Sequence, residues 1–116
     1  MPVQVFGIKK NADTRKALRF FSERRIDTHF VDFKVRAPSP GELRRFAQKF
    51  GVEALLDRSS RRFNELGLQH ARYSDDRWLE KLSNDPTLLV QPLVRNGGSL
   101  TIGPAENEWG DWVAKM

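Results

Sequence analysis

The chain has no cysteine among its 116 residues. This absence excludes disulfide bonds, thiol chemistry by the chain itself and zinc sites built from thiolates. Its two histidines, His29 and His70, lie far apart and in no metal-ligand motif, so we expect neither a metal site nor a cofactor. No apolar run approaches the roughly 20 residues that a membrane-spanning helix needs, so we expect no membrane as a partner.

The beginning of the chain, Met1-Pro2-Val3-Gln4-Val5, lacks the charged start and long apolar stretch of a signal peptide. We therefore expect a cytoplasmic protein. With 39% hydrophobic and 30% charged residues, the composition suits a globular protein, and the length suits one domain spanning residues 1–116. The net charge of +5 admits acidic partners without requiring them, because acidic residues are interleaved with the basic ones.

Apolar periodicity and capping residues predict an alternation of strands and helices. Asn11 is a good N-cap for a first helix, and Ser39, Pro40 and Glu42 have the spacing of a capping box. Asn96-Gly97-Gly98 predicts a hairpin turn. In chain order, the predicted elements are strand 3–8, helix 12–25, strand 26–33, a block of helices 40–84, strand 88–94, strand 99–102 and helix 106–116.

This order of elements predicts an α/β fold. The strand–helix–strand start implies a parallel pair of strands with a right-handed crossover. A mixed sheet with a helical insert before the C-terminal hairpin and helix accounts for every element, although other small α/β sandwiches also fit. Helical spacing predicts three buried faces: Ala17, Phe20 and Phe21; Leu43, Phe46, Ala47 and Phe50; and Trp109, Trp112 and Val113.

The loop between the first strand and the first helix is the candidate functional site. Backbone amides at a helix N-terminus stabilise an anion or a thiolate. With the nearby Lys9, Lys10, Asn11, Thr14 and Arg15, these amides would form an anion pocket. The alternative is a capped helix flanked by solvated cations, which is favoured by the negative charge of Asp13 close to the same amides.

A second basic cluster contains Arg58, Arg61 and Arg62, with Ser59 and Ser60 between them. Such a cluster could receive a phosphate or a nucleic acid. A single phenylalanine adjoins it, whereas binding of single strands usually needs several stacking aromatic residues. We therefore favour a solvated helix face and do not expect direct binding of nucleic acid.

Four stretches of the chain together resemble the arsenate reductase (ArsC)/Spx/YffB family. They are Phe6–Leu18, Glu53–Arg58 with Phe63–Leu66 after it, Pro86–Val94 and Leu100–Gly103, and their order and spacing make the resemblance specific. The resemblance implies a thioredoxin-like fold with the helical insert. It also implies a cis peptide bond before Pro92, because a cis proline faces the active loop in thioredoxin-like proteins.

The departures from the family pattern fall on its chemistry. The family carries a redox cysteine in an Asn-Cys-[Asp/Ser]-Thr stretch, where this chain reads Asn11-Ala12-Asp13-Thr14. Gln91 replaces the arginine before the family's proline, and Pro104 replaces a further arginine of the arsenate reductases, whereas Arg58 matches a family arginine. We predict a vestigial or anion-binding pocket, with no catalytic residue, made of Lys10, Asn11, Ala12, Thr14, Arg15, Arg58, Gln91 and Pro92.

Two functional classes follow from the resemblance and its departures. The first is a non-catalytic binding or regulatory protein that contacts a small anion or a protein partner, as Spx-type members contact RNA polymerase. The second is a reductase- or transferase-like enzyme that uses the thiol of glutathione or of a partner at the same loop. The missing cysteine favours the first class, and we predict no thiol-dependent arsenate reduction by this chain.

Overall fold

The computed structural model of the protein describes residues 2–116, which contain four β-strands and five α-helices. Three short 3₁₀ turns accompany them, at Val52–Leu55, Leu68–His70 and Pro86–Leu88. The regular elements are β1 (Val3–Gly7), α1 (Ala12–Glu23), β2 (Thr28–Asp32), α2 (Pro40–Phe50), α3 (Arg61–Glu65), α4 (Asp75–Asn84), β3 (Leu93–Asn96), β4 (Ser99–Ile102) and α5 (Glu106–Ala114). The α/β class and the helical block at residues 40–84 are thereby confirmed.

The chain divides into two compact units. The first holds the residues up to Arg36 and those from Gln91 onward, and the second holds Ala37–Val90. All four strands lie in the first unit, whereas α2, α3 and α4 lie in the second. That the whole chain behaves as one domain stays a prediction.

The first unit is built on a mixed four-stranded sheet in the order β2-β1-β3-β4. Strands β1 and β2 are parallel, with Val3 opposite Thr28, as the strand–helix–strand order predicts. Strand β3 is antiparallel to both β1 and β4. Asn96 pairs with Ser99, so Gly97 and Gly98 form the predicted two-residue hairpin turn, and Gly97 adopts a left-handed φ of 59°.

The core of the first unit holds α1 against the sheet. Val3, Val5, Ala17, Phe21, Val94 and Trp109 are fully buried there. The rings of Phe21 and Trp109 lie 5.6 Å apart, and the Trp109 indole N–H donates to Thr101 Oγ1 at 2.8 Å. Because β1 and α1 are both anchored by this core, the loop between them joins two fixed elements.

The second unit is a helical layer in which α2 packs against α4. The predicted capping box is confirmed: the Glu42 amide donates to Ser39 Oγ, and the Ser39 amide donates to Glu42 Oε1. Phe63 stacks on Trp78 with their rings 6.1 Å apart. The prediction that Phe50 is buried is wrong, because it ends α2 and is 38% exposed.

The strand predicted at residues 88–94 begins only at Leu93. The Leu88 and Leu89 amides donate to the carbonyls of Asp85 and Pro86, and these bonds wind the preceding residues into a 3₁₀ turn. Leu89 forms an isolated antiparallel bridge with Leu56, and the backbone joins the four-stranded sheet only after Pro92, which has no amide hydrogen to donate. No helix of residues 2–116 is both long and apolar enough to cross a membrane.

Candidate functional site

The loop between β1 and α1 is closed by a turn and capped by Asn11. The Asn11 amide donates to the Ile8 carbonyl at 3.0 Å. Asn11 Oδ1 then accepts from the Thr14 amide at 2.8 Å and from Thr14 Oγ1 at 3.1 Å, as expected of a helix N-cap. The Arg15 amide donates to the Asn11 carbonyl and makes the first bond of the helix.

Ala12 occupies the first position of α1 and is exposed to solvent. The Thr14 and Arg15 amides already have partners, whereas those of Ala12 and Asp13 have no hydrogen-bond acceptor within residues 2–116. These two donors lie at the positive end of the helix dipole, where an anion is stabilised. Asp13 places a carboxylate in the same turn and opposes such an anion.

Gln91 joins the loop to the segment that precedes β3. Its side-chain oxygen Oε1 accepts from the Ile8 amide at 2.8 Å, and Thr14 Oγ1 lies 3.5 Å away. Gln91 is only 7% exposed, and its bond to the Ile8 amide is part-buried. The peptide bond between Gln91 and Pro92 is cis, which confirms that prediction. The neutral side chain of Gln91 therefore stabilises the loop at the position where the family pattern has an arginine.

Gly7, at the end of β1, is required by the close approach of two side chains. A Cβ atom at this position would lie 2.5 Å from Thr14 Oγ1 and 3.1 Å from Gln91 Oε1. Thr14 is itself fully buried. The loop therefore packs tightly where Gly7 meets the side chains of Thr14 and Gln91, and no space is left there for a larger residue at position 7. The pattern of apolar residues gave no sign that Thr14 and Gln91 would be buried, because both are polar.

Arg15 fastens the loop from its exposed side. Its Nη1 donates to the Lys9 carbonyl at 2.7 Å and to the Lys10 carbonyl at 2.9 Å. The Lys9 ammonium lies 5.7 Å from the centre of the Phe30 ring, and Lys10 is exposed. Arg15 therefore stabilises the backbone of the loop through these two hydrogen bonds, and its positive charge adds to that of the neighbouring lysines.

Arg58 belongs to the second unit, where its donors are engaged. It makes a two-pronged ion pair with Glu53 and donates to the Gln69 carbonyl at 3.2 Å, and its guanidinium lies over the Phe63 ring. The hydrogen bond from Arg58 lowers the pKa of Glu53 against a smaller opposing effect of burial. Each of the three side-chain nitrogens of Arg58 thus has a partner within its own unit.

The rest of the second basic cluster is also neutralised. Arg62 pairs with Asp85 at 2.8 Å, and Arg61 lies 3.9 Å from Glu65. This pairing agrees with the interpretation of the cluster as a charged helix face. Nowhere in residues 2–116 do three or more His, Cys, Asp or Glu side chains come together as a metal site would require.

The structure therefore brings most of the predicted site residues together within the first unit. Lys10, Asn11, Ala12, Thr14 and Arg15 form the loop and the first turn of α1, and Gln91 bonds to that loop beside Pro92. Arg58 lies in the other unit. The assembled loop offers two amide donors and nearby cations, and it offers no nucleophile.

The comparisons with known proteins agree with this architecture. The ArsC family model matches residues 6–112. The protein YusI of Bacillus subtilis (strain 168) is 26% identical over 113 residues, which are 94% of this chain and 96% of YusI.

Solved structures show the same fold. An arsenate reductase from Vibrio cholerae superposes with a TM-score of 0.82 at 24% identity, over 96% of this chain and 97% of that one. An arsenate reductase (ArsC) related protein from Brucella melitensis superposes with a TM-score of 0.71 at 24% identity, over 97% of this chain and 94% of that one. The expected thioredoxin-like fold is confirmed, and the chain belongs to the ArsC family, as a member without cysteine.

Proposed function

We propose that this protein is a non-catalytic member of the ArsC family that binds its ligand at the loop between β1 and α1. One observation carries the proposal: Ala12 stands exposed at the first position of α1, where the family pattern has its redox cysteine. A methyl group cannot attack an oxyanion or a disulfide, and the chain has no other thiol.

The bonding of Gln91 supports the same proposal. An arginine at this position would offer charged donors to an oxyanion. Gln91 instead offers an acceptor, and the Ile8 amide uses it at 2.8 Å. The loop thus keeps an ordered shape through an interaction that an arginine could not make, since a guanidinium has no acceptor. A loop that is ordered but has no nucleophile is better suited to binding a ligand than to catalysing a reaction.

Small anions should bind this loop weakly. The amides of Ala12 and Asp13 and the cations Lys10 and Arg15 would each contribute about 0.3–1 kcal/mol at an exposed helix terminus. Several such contacts approach the ~4 kcal/mol that corresponds to millimolar affinity, and the Asp13 carboxylate reduces the sum. A protein that covers the loop would add buried area to these contacts, so a protein partner fits the site better than a free anion.

The test is an arsenate reduction assay with glutathione and glutaredoxin supplied in excess. We expect no turnover above the rate without protein, and an arsenate reductase with its cysteine serves as the positive control. Turnover by the wild-type chain would overturn the proposal and support the alternative enzyme that uses an external thiol. A matched Ala12→Ser variant should be equally inactive, because its hydroxyl also lacks a neighbouring general base in this loop.

A further inference from the structure

The exposed face at the start of α1 carries five cations close together in the sequence. They are Lys9, Lys10, Arg15, Lys16 and Arg19, and we call them the α1 cationic surface. All five are exposed, and none forms an ion pair within residues 2–116. Arg58 and Arg62 of the second unit behave differently, since both are paired with carboxylates.

The positions of these cations work against the stability of the free protein. Arg15 and Arg19 are four residues apart on α1, and Lys16 and Arg19 are three apart, so like charges are neighbours on the helix. Arg15 and Lys16 also lie in the first half of α1, toward the end at which the helix dipole disfavours positive charge. Arg15 further binds the Lys9 and Lys10 carbonyls and holds the loop lysines beside the helix. An anionic partner would relieve this repulsion.

We propose that the α1 cationic surface docks an acidic segment of a partner protein. The inference rests on the proposed function, because it names the partner class of a protein that acts by binding. Its support is charge complementarity: five unpaired cations face solvent, and the amides of Ala12 and Asp13 beside them can donate to a carboxylate. Singly charged carboxylates also meet less repulsion from the Asp13 carboxylate than phosphate dianions would.

Other anionic partners fit this surface less well. Single-stranded nucleic acid needs exposed aromatic rings for stacking. In α1, Phe21 is fully buried, and Phe20 is half-buried, with the Arg24 guanidinium 3.6 Å from its ring centre and the Trp109 ring 5.6 Å away. Phe30, beside Lys9, is also half-buried. A membrane surface needs exposed apolar side chains among the cations, and α1 presents no large exposed hydrophobic residue.

The experiment measures the affinity of the full chain for a fluorescent peptide of eight glutamates by anisotropy at low salt. The test variant is Lys16→Glu with Arg19→Glu. The matched control is Arg45→Glu with Arg72→Glu, which makes the same change in net charge at two exposed arginines of the second unit. We expect the test variant to weaken binding by about tenfold or more and the control by less than about threefold.

Further arms give the outcomes that would overturn the proposal. An eight-nucleotide oligothymidine or an anionic vesicle that binds more tightly than the peptide would replace the acidic segment as the occupant. An equal loss in both double variants would show a general effect of net charge, and no binding by the wild type would also refute docking. If the glutamate variant unfolds, Lys16→Gln with Arg19→Gln takes its place. Arsenate turnover, which tests the proposed function, is read separately from all of these.

Discussion

Replacing Gln91 by leucine should lower the free energy of unfolding by about 1–3 kcal/mol. The substitution removes the acceptor of the Ile8 amide, which Gln91 Oε1 accepts at 2.8 Å in a part-buried site. The contact with Thr14 adds little, because Thr14 Oγ1 is closer to Asn11 Oδ1, at 3.1 Å against 3.5 Å. Leucine would offset part of this loss of stability, because burying its apolar side chain at a position that is 7% exposed stabilises the fold more than burying the polar side chain of glutamine.

Urea unfolding followed by circular dichroism measures this difference, and hydrogen exchange of the Ile8 amide locates it. The exchange of that amide should become faster in the variant. The control is Gln48→Leu on the exposed face of α2, which should change the free energy by less than about 0.5 kcal/mol. An unchanged unfolding curve and unchanged Ile8 exchange in Gln91→Leu would refute the structural role of this hydrogen bond.

Three further substitutions test the loop and the ion pairs. Gly7→Ala should destabilise the protein by about 1–3 kcal/mol in thermal unfolding, because its Cβ would lie 2.5 Å from Thr14 Oγ1, whereas Gly41→Ala meets nothing closer than 3.8 Å and should be tolerated. Asn11→Ala should cost about 1 kcal/mol by the same assay, since it removes the N-cap of α1. Burial raises the pKa of Asp85, but its hydrogen bonds outweigh this and hold the pKa below the ordinary value. Asp85→Asn should therefore destabilise at pH 7, and its difference from the wild type in urea unfolding should shrink as the pH falls below about 4.

The fold was largely predictable because its signals are local. The caps at Asn11 and Ser39 and the Gly97-Gly98 turn each fix a boundary through residues next to them in the sequence. Phe50 misled the prediction because its spacing fits the buried face of α2, while its position at the last turn exposes it. Where a strand begins after Pro86 depends on hydrogen bonds between segments, which no local pattern reports.

The candidate site was predictable only in part. The resemblance indicated the loop and the missing cysteine, but the bond from Ile8 to Gln91 joins residues 83 positions apart. Nothing in the sequence shows that Gln91 would supply an acceptor to the loop or that Gly7 would be needed beside Thr14. The sequence also did not predict that Arg15 would donate hydrogen bonds to the loop carbonyls, since an exposed arginine on a helix usually indicates only a solvated side chain.

The most direct test of the central claim is a titration of the protein with phosphate, followed by the backbone amide shifts of residues 11–15. We expect the resonances of the Ala12 and Asp13 amides to shift at roughly tens of millimolar phosphate. We also expect Lys10→Ala to weaken this response, whereas Lys115→Ala, far along the sequence, should not. If the amides stay unmoved at these concentrations, or if the two variants respond alike, the loop is only a helix cap and does not bind the ligand.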